Sequence, residues 1–295
     1  MKAVVIRDGR LEVEERPDPV AGDGEVLIRV RAAGINNADL IQRTGHYPAP
    51  EGAPADIPGL ELAGEVVETG ERVMALVAGG GQAELAAVDK RHVLPVPEAL
   101  DWPQAGGVME TYSTAHDALF AQAGLKAGER LLVNGAAGGV GTAAVQLGVA
   151  VGAEVTGISR TNQDRVEALG AKTERDGEYD VILELVGGLL LVDDLRRLRE
   201  RGRLVVIGTG AGRRAEVDFG TLMTKRARIS GSHLRGRSPG DKALVVEGVR
   251  EHVLPLLAGG RATVPVHATF PLDEAEAAYE AFAAGGKFGK LVLVV

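Results

Sequence analysis

The 295-residue chain contains no cysteine. That excludes disulfides, a thiol nucleophile and cysteine-ligated zinc, and it is compatible with a reducing compartment. Aromatic residues make up only 3%, too few for a base-stacking platform. Asp and Glu outnumber Lys and Arg, giving a net charge of −8, so the cationic surplus that general nucleic-acid binding needs is missing. No apolar run reaches the roughly 18 residues of a membrane span. The opening MKAVVIRDGRLEVEE lacks the apolar core of a secretion signal and reads as strand, Asp8-Gly9 turn and strand. A cytoplasmic location is expected. No serine sits in a G-x-S-x-G elbow. The six histidines lack metal-ligand spacing, and the acidic residues form no identifiable catalytic pair.

Glycine, by contrast, is abundant at 41 residues, which implies many tight turns and close backbone approaches. Hydrophobic content of 45%, charged content of 25% and mean hydropathy of +0.04 describe a globular chain, long enough for about two domains. The most informative stretch is LLVNGAAGGVGTAAVQ at 131–146. An apolar strand enters a glycine-rich turn and leaves as an alanine-rich helix, the arrangement that cradles a dinucleotide pyrophosphate on helix N–H groups. Ala136 replaces the first glycine of the usual G-x-G-x-x-G, but a second strand at 154–158 supplies the expected βαβ context. Ala137, Gly138, Gly139 and Val140 are the candidate phosphate-loop contacts.

Residues 1 to about 97 carry short apolar or alternating runs at 3–6, 26–32, 62–67, 72–77 and 83–88, separated by Gly, Pro and Asp clusters, a β-rich, barrel-like pattern. After 95–97 the texture changes. A helix is predicted over 102–122, then strands at 131–134, 154–158, 181–185, 204–207 and 227–232 alternate with helices at 142–150, 163–169 and 189–200, as in a doubly wound parallel sheet. A strand at 264–270, a helix at 272–284 and a last strand at 290–295 return the chain to the first domain. The second strand of the βαβ unit ends in Ser159-Arg160-Thr161 instead of the carboxylate that grips an NAD ribose. Ser159 and Arg160 offer donors to a 2′-phosphate, which favours NADP(H); a merely solvated Arg160 is the alternative. Gly208 and Thr209 end a strand at the sheet's carboxyl edge, where ligands collect.

Five segments, AGINNADLIQRTGHYP (33–48), IPGLELAGEVVETGERVMAL (57–76), ETYSTAHDALF (110–120), NGAAGGVGTAAVQL (134–147) and GGKFGKLVLVV (285–295), together resemble the zinc-independent quinone oxidoreductases of the medium-chain dehydrogenase/reductase superfamily. The likeness is greatest to the branch that includes the p53-inducible enzymes. The resemblance implies a GroES-like β-barrel domain from 1–97 and 264–295, a Rossmann domain over 98–263, NADPH in the cleft, a small-molecule quinone as substrate and a homodimer, with 227–232 as an exposed edge strand. It places Asn36, Tyr47 and Thr114 at the nicotinamide and substrate end, and Ser232, His233, Leu234, Arg235 and Lys287 near the cofactor. Arg235 would assist the adenosine phosphate and Lys290 would be structural. Read from the residues alone, Asn36 is equally a helix cap, Tyr47 a packing residue, and Thr114 a hydroxyl bonded to its own helix.

Leucine stands where zinc-dependent relatives carry a ligand, at Gly59-Leu60-Glu61, so no metal is expected. The segments 68–71 and 171–179 are short for this family, and an irregular crossover is expected at the latter. Protonation of the reduced acceptor would come from Tyr47 or water. Reduction of a double bond in an alkenal, enone or enoyl thioester is the alternative activity, and a non-catalytic NADPH-binding sensor or structural protein the second alternative.

Overall fold

The computed structural model describes residues 1–295, which divide into two compact units, Met1–Ser113 with Leu234–Val295, and Thr114–His233. The first unit is built on the long strand Glu25–Ile35. Its first half pairs antiparallel with Leu85–Asp89 and its second half with Lys290–Val294, while Glu61–Val66 runs along its other edge. The sheet continues to Arg72–Leu76 and Val93–Pro95 on one side and to Val266–Pro271 on the other. Ile28, Val30, Leu62, Val73 and Ala75 fill one core; Ile35, Leu272, Tyr279, Leu291 and Leu293 fill another. The opening hairpin pairs Lys2–Arg7 with Arg10–Glu15. Asp8 and Gly9 both take positive φ, the conformation of a two-residue hairpin turn.

The sequence reading puts domain boundaries at 97/98 and 263/264, whereas contacts group 98–113 and 234–263 with the first unit. His92 Nε2 lies 2.9 Å from the carbonyl of Pro239, which opens the helix Pro239–His252, and the Tyr112 hydroxyl donates to Thr263 O at 2.8 Å.

The predicted single helix over 102–122 is three pieces: Trp102–Ala105, Met109–His116 and a wider-pitched turn at Asp117–Gln122. Gly106 interrupts it because the backbone there passes against Ala32; a Cβ would meet the Ala32 Cβ at 2.8 Å. Similarly, 272–284 opens with a short, tighter helix, Leu272–Glu274, before Ala275–Ala284.

The second unit is a five-stranded, all-parallel sheet in the order Arg228–Gly231, Leu198–Val206, Tyr179–Glu184, Arg130–Asn134, Glu154–Ile158. Connections leave Arg130–Asn134 toward one edge and later return to its opposite side, so the sheet reverses direction between Arg130–Asn134 and Tyr179–Glu184. Ligands of Rossmann-type sheets collect above the carboxyl ends at such a point. The short crossover is indeed irregular. After the helix Gln163–Ala168, Lys172 makes a single parallel bridge with Thr156, and no helix or strand intervenes before Tyr179. The helix expected at 189–200 instead runs Gly188–Arg197, and Leu198 already begins the next strand. Leu198 is fully buried among Leu132, Tyr179, Ile182, Leu195 and Leu204, so core packing overrides the helical charge pattern of the following arginines.

The glycine-rich turn leaves no room at Gly141, where a Cβ would press on Gly135 O and lie 2.7 Å from the Ala136 Cα. Gly138 has only Gly135 O at 3.5 Å. Gly141→Ala is therefore expected to lower stability by about 1–3 kcal/mol and Gly138→Ala by far less, compared by urea denaturation of the ligand-free protein.

Candidate active site

Within the Rossmann unit, Gly135 N and Ala136 N both donate to Ile158 O, at 2.9 and 3.0 Å, and tie the turn to the neighbouring strand end. Gly138 is the extended residue before the helix Gly139–Val151, whose N-terminus no side chain caps. The first-turn N–H groups of Gly139, Val140 and Gly141 have no intrahelical acceptors by geometry, and the dipole adds positive potential. Ala137 is buried, while Gly138, Gly139 and Val140 are partly exposed. Past the next strand, Ser159 is partly exposed and Arg160 is exposed, with no hydrogen bond or ion pair to the chain. Gly208 N donates to Glu184 O at 3.1 Å, and a Cβ at Gly208 would press on Leu185 backbone. Thr209 is exposed. Ser232 Oγ donates to Asp117 Oδ2 at 2.7 Å, and His233 is exposed. Thr114 is 8% exposed, with a buried Oγ1 that has no hydrogen-bond partner.

Beneath the turn lies a polar network absent from the sequence reading. Asn134 Nδ2 donates to Glu184 Oε2 at 2.7 Å and to Asp194 Oδ2 at 2.8 Å, while Arg175 donates to Asn134 Oδ1 at 2.6 Å. The other Glu184 oxygen accepts the N–H groups of Val186 and Gly187 at 2.5 and 2.7 Å. Glu184 thereby shapes the loop above its strand. Burial, and the adjoining Glu184 carboxyl, push the Asp194 pKa well up.

In the other unit, Lys290 Nζ donates to Glu61 Oε1 at 2.6 Å, Asn36 Oδ1 at 2.7 Å and Ile35 O at 2.9 Å. Asn36 Nδ2 donates back to Glu61 Oε1 at 3.0 Å, and Glu110 N donates to Glu61 Oε2 at 2.9 Å. Asn36 also precedes the helix Asn37–Arg43, and its backbone N–H donates to Asp39 Oδ2 at 2.8 Å. It is thus both helix cap and network member. Asp39, completely buried, accepts Gly59 N as well, and burial pushes its pKa up to about 6. Burial and the negative charge of Glu110 push the Tyr47 phenol up to about 12.

Arg235 is 3% exposed, and its three guanidinium nitrogens donate to Ala78 O, Tyr47 O and Gln42 Oε1 at 2.7–2.8 Å. Its guanidinium also lies 5.1 Å from the Tyr47 ring centroid. The side chain braces the Tyr47 loop with three of its five N–H groups. Leu234 is buried beside it in sequence. Lys287 lies over the Phe282 ring at 3.6 Å, and burial lowers its pKa. Leu60 is a core residue at 1% exposure, and no group of three or more His, Asp or Glu side chains gathers to hold a metal ion.

Residues 22–98 match the alcohol dehydrogenase GroES-like domain and 152–293 the zinc-binding dehydrogenase family. The solved quinone oxidoreductase of Thermus thermophilus, described together with its NADPH complex, is 36% identical and superposes with a TM-score of 0.88 over 100% of both chains. Human quinone oxidoreductase is 30% identical over 309 residues, 94% of this chain and 91% of that one. The chain belongs to the medium-chain dehydrogenase/reductase superfamily, among the quinone oxidoreductases. A 35% match over 92% of the chain also links it to the spectinabilin polyketide synthase system protein NorB of Streptomyces orinoci, of which it spans only 13%.

As a member of this oxidoreductase family, the chain carries two features that its motifs do not announce. One is the network under the phosphate turn. The other is Glu110, the first residue of ETYSTAHDALF, which only the folded pairing of its amide with Glu61 reveals.

Removing one partner of a buried ion pair costs about 3–5 kcal/mol. Lys290→Met is expected to lower unfolding stability by about that amount, and the double variant Lys290→Met, Glu61→Leu to recover only part of it, because Asn36 Nδ2 and the Glu110 amide then lose their acceptor, as read from urea midpoints.

Proposed function

We propose that this chain is an NADPH-dependent, zinc-independent quinone oxidoreductase. The observation that carries the reading is the uncapped helix N-terminus at Gly138–Gly141 followed, at the next strand end, by Ser159 and an exposed, uncommitted Arg160 with no carboxylate beside them. A pyrophosphate fits the first, and a 2′-phosphate the second. The buried, unpartnered Thr114 Oγ1 independently suits a ligand polar group. The Thermus relative, which has the same fold, was solved in complex with NADPH.

When bound, NADPH supplies the hydride. Ala137, Gly138, Gly139 and Val140 would hold its pyrophosphate, Ser159 and Arg160 its 2′-phosphate, and Gly208, Thr209, Ser232 and His233 would line its course. In the other unit, Asn36 is fixed by Lys290 and Glu61 and would offer an oriented amide to the acceptor carbonyl, and Tyr47, fixed by Arg235, would offer a hydroxyl. Leu234 and Lys287 complete the proposed cofactor surroundings. Glu61 is consumed by Lys290, Asn36 and Glu110 N, which supports a reaction without zinc. The same reading includes a catalytic domain of 1–97 and 264–295, a dinucleotide domain of 98–263, and a homodimer. Arg228–Gly231 ends its sheet with one edge unpaired by another strand.

The polyketide synthase relative favours one further reading, reduction of an enoyl double bond by the same hydride. NADPH and NADH oxidation against quinones, alkenals and enoyl thioesters, without added zinc, separates the two. Quinone-dependent, NADPH-selective turnover is expected, and thioester preference would move the function to double-bond reduction. Arg160→Ala should weaken NADPH binding by about 10-fold or more, the scale of a lost charge-assisted hydrogen bond, and leave NADH binding unchanged. Equal effects on both cofactors in fluorescence titrations would remove Arg160 from the site.

A further inference from the structure

Three acidic residues are tied into the network around Asn36, and the carboxylates of two of them are fully committed. Asp39 accepts the Asn36 and Gly59 amides. Glu61 binds Lys290 and Asn36 through one oxygen and the Glu110 amide through the other. Both residues are completely buried. Glu110 differs. It stands in the first turn of Met109–His116, is partly exposed, and its carboxyl accepts no hydrogen bond from the chain. Its amide is fastened to the same Glu61 carboxylate that orients Asn36, so the backbone of this carboxylic acid is anchored one residue away from the proposed substrate-orienting amide.

The charged groups acting on it are Glu61, Asp39, Lys290 and Lys242. Its own charge is felt by the Tyr47 phenol and the Arg235 guanidinium. Lys242, on Pro239–His252, is 6% exposed.

We propose that Glu110 is the proton donor of the reaction, an inference that rests on the oxidoreductase reading above. Hydride transfer from NADPH adds two electrons and one hydrogen to the quinone and leaves a hydroquinone monoanion. The Glu110 O–H bond breaks as the second oxygen takes its proton, giving hydroquinone, NADP⁺ and a Glu110 carboxylate, and water then reprotonates the partly exposed side chain. With an enoyl acceptor, the proton goes to the carbon that carries the developing negative charge.

The surroundings suit this role. Withheld solvent, followed by the nearby charges of Glu61 and Asp39, pushes the Glu110 pKa up to about 8, so the group carries a proton at neutral pH and can release it. Tyr47, pushed up to about 12, remains a hydrogen-bond donor that parts with its proton far less readily. The expectation that Tyr47 or water protonates the product is replaced accordingly.

Glu110→Gln retains size and polarity but has no acid proton. It is expected to lower kcat with quinones by about 100-fold or more with NADPH affinity kept within about twofold, and to abolish the loss of kcat that the wild type shows above about pH 8. A second readout uses ligand-free protein. The Glu110 pKa rises from 4.5 unfolded to about 8 folded, so the native state holds a proton the unfolded chain releases, and stability falls as pH rises between those values. Asp39 contributes the same sign only up to about 6. Asp194 contributes it up to about 7, so in Glu110→Gln the decline above about pH 7 should disappear from urea-denaturation profiles. An unchanged kcat and alkaline limb in the variant, or a wild-type stability flat between about pH 7 and 8, would overturn the role of Glu110. A wild type silent with every acceptor would instead overturn the oxidoreductase reading and this role together.

Discussion

An ammonium group and a carboxylate held 2.6 Å apart out of contact with water organise the polar network of the first unit. Lys290 and Glu61 are 2% and 0% exposed, and such a pair is tolerable only when the remaining donors and acceptors are satisfied. Here they are. Ile35 O and Asn36 Oδ1 complete the lysine, while Asn36 Nδ2 and Glu110 N complete the glutamate. Because Asn36 both accepts and donates, its amide orientation is locked without a substrate. Gly34 makes the approach feasible: a Cβ there would lie 2.9 Å from the Glu61 Cδ and 2.8 Å from Gly106 O. Gly34 and Gly106 are small so that a charge pair can be buried between the strands.

The Rossmann unit solves a related problem with neutral and anionic groups. Its turn must present N–H groups upward, so the turn must be held from below. Asn134 reaches Glu184 and Asp194, and Glu184 draws in the amides of Val186 and Gly187. Arg175, carried by the shortened crossover, closes the group by donating to Asn134. The shortened segment therefore carries a structural duty, and Lys172, with its one bridge to Thr156, marks where pairing stops.

How much of this is readable from residues alone depends on whether a feature is local. The phosphate turn, the strand after it and the Asp8-Gly9 hairpin are short-range patterns, and each forms where its glycines and apolar runs place it. The break at Gly106 and the early end of the helix at Arg197 are set by Ala32 and by the core around Leu198, which no local window contains. Site residues divide along the same line. Asn36 and Tyr47 are visible as parts of a string, but the commitment of Arg235 to three acceptors, and the freedom of the Glu110 side chain, follow from partners up to 193 positions distant. A charged residue in sequence declares its charge and not whether that charge is already spent.

The strand Lys290–Val294 lies between Glu25–Ile35 and Val266–Pro271, and that placement bears on biosynthesis. Thr114–His233 is one continuous span of chain, so it can complete its sheet while the remainder is still being translated. The first unit must wait. Until residue 290 leaves the ribosome, Glu61 has no ammonium partner, and half of a long central strand offers an unpaired edge. Residues 1–113 must therefore wait, exposed, for Leu234–Val295 before their sheet can close.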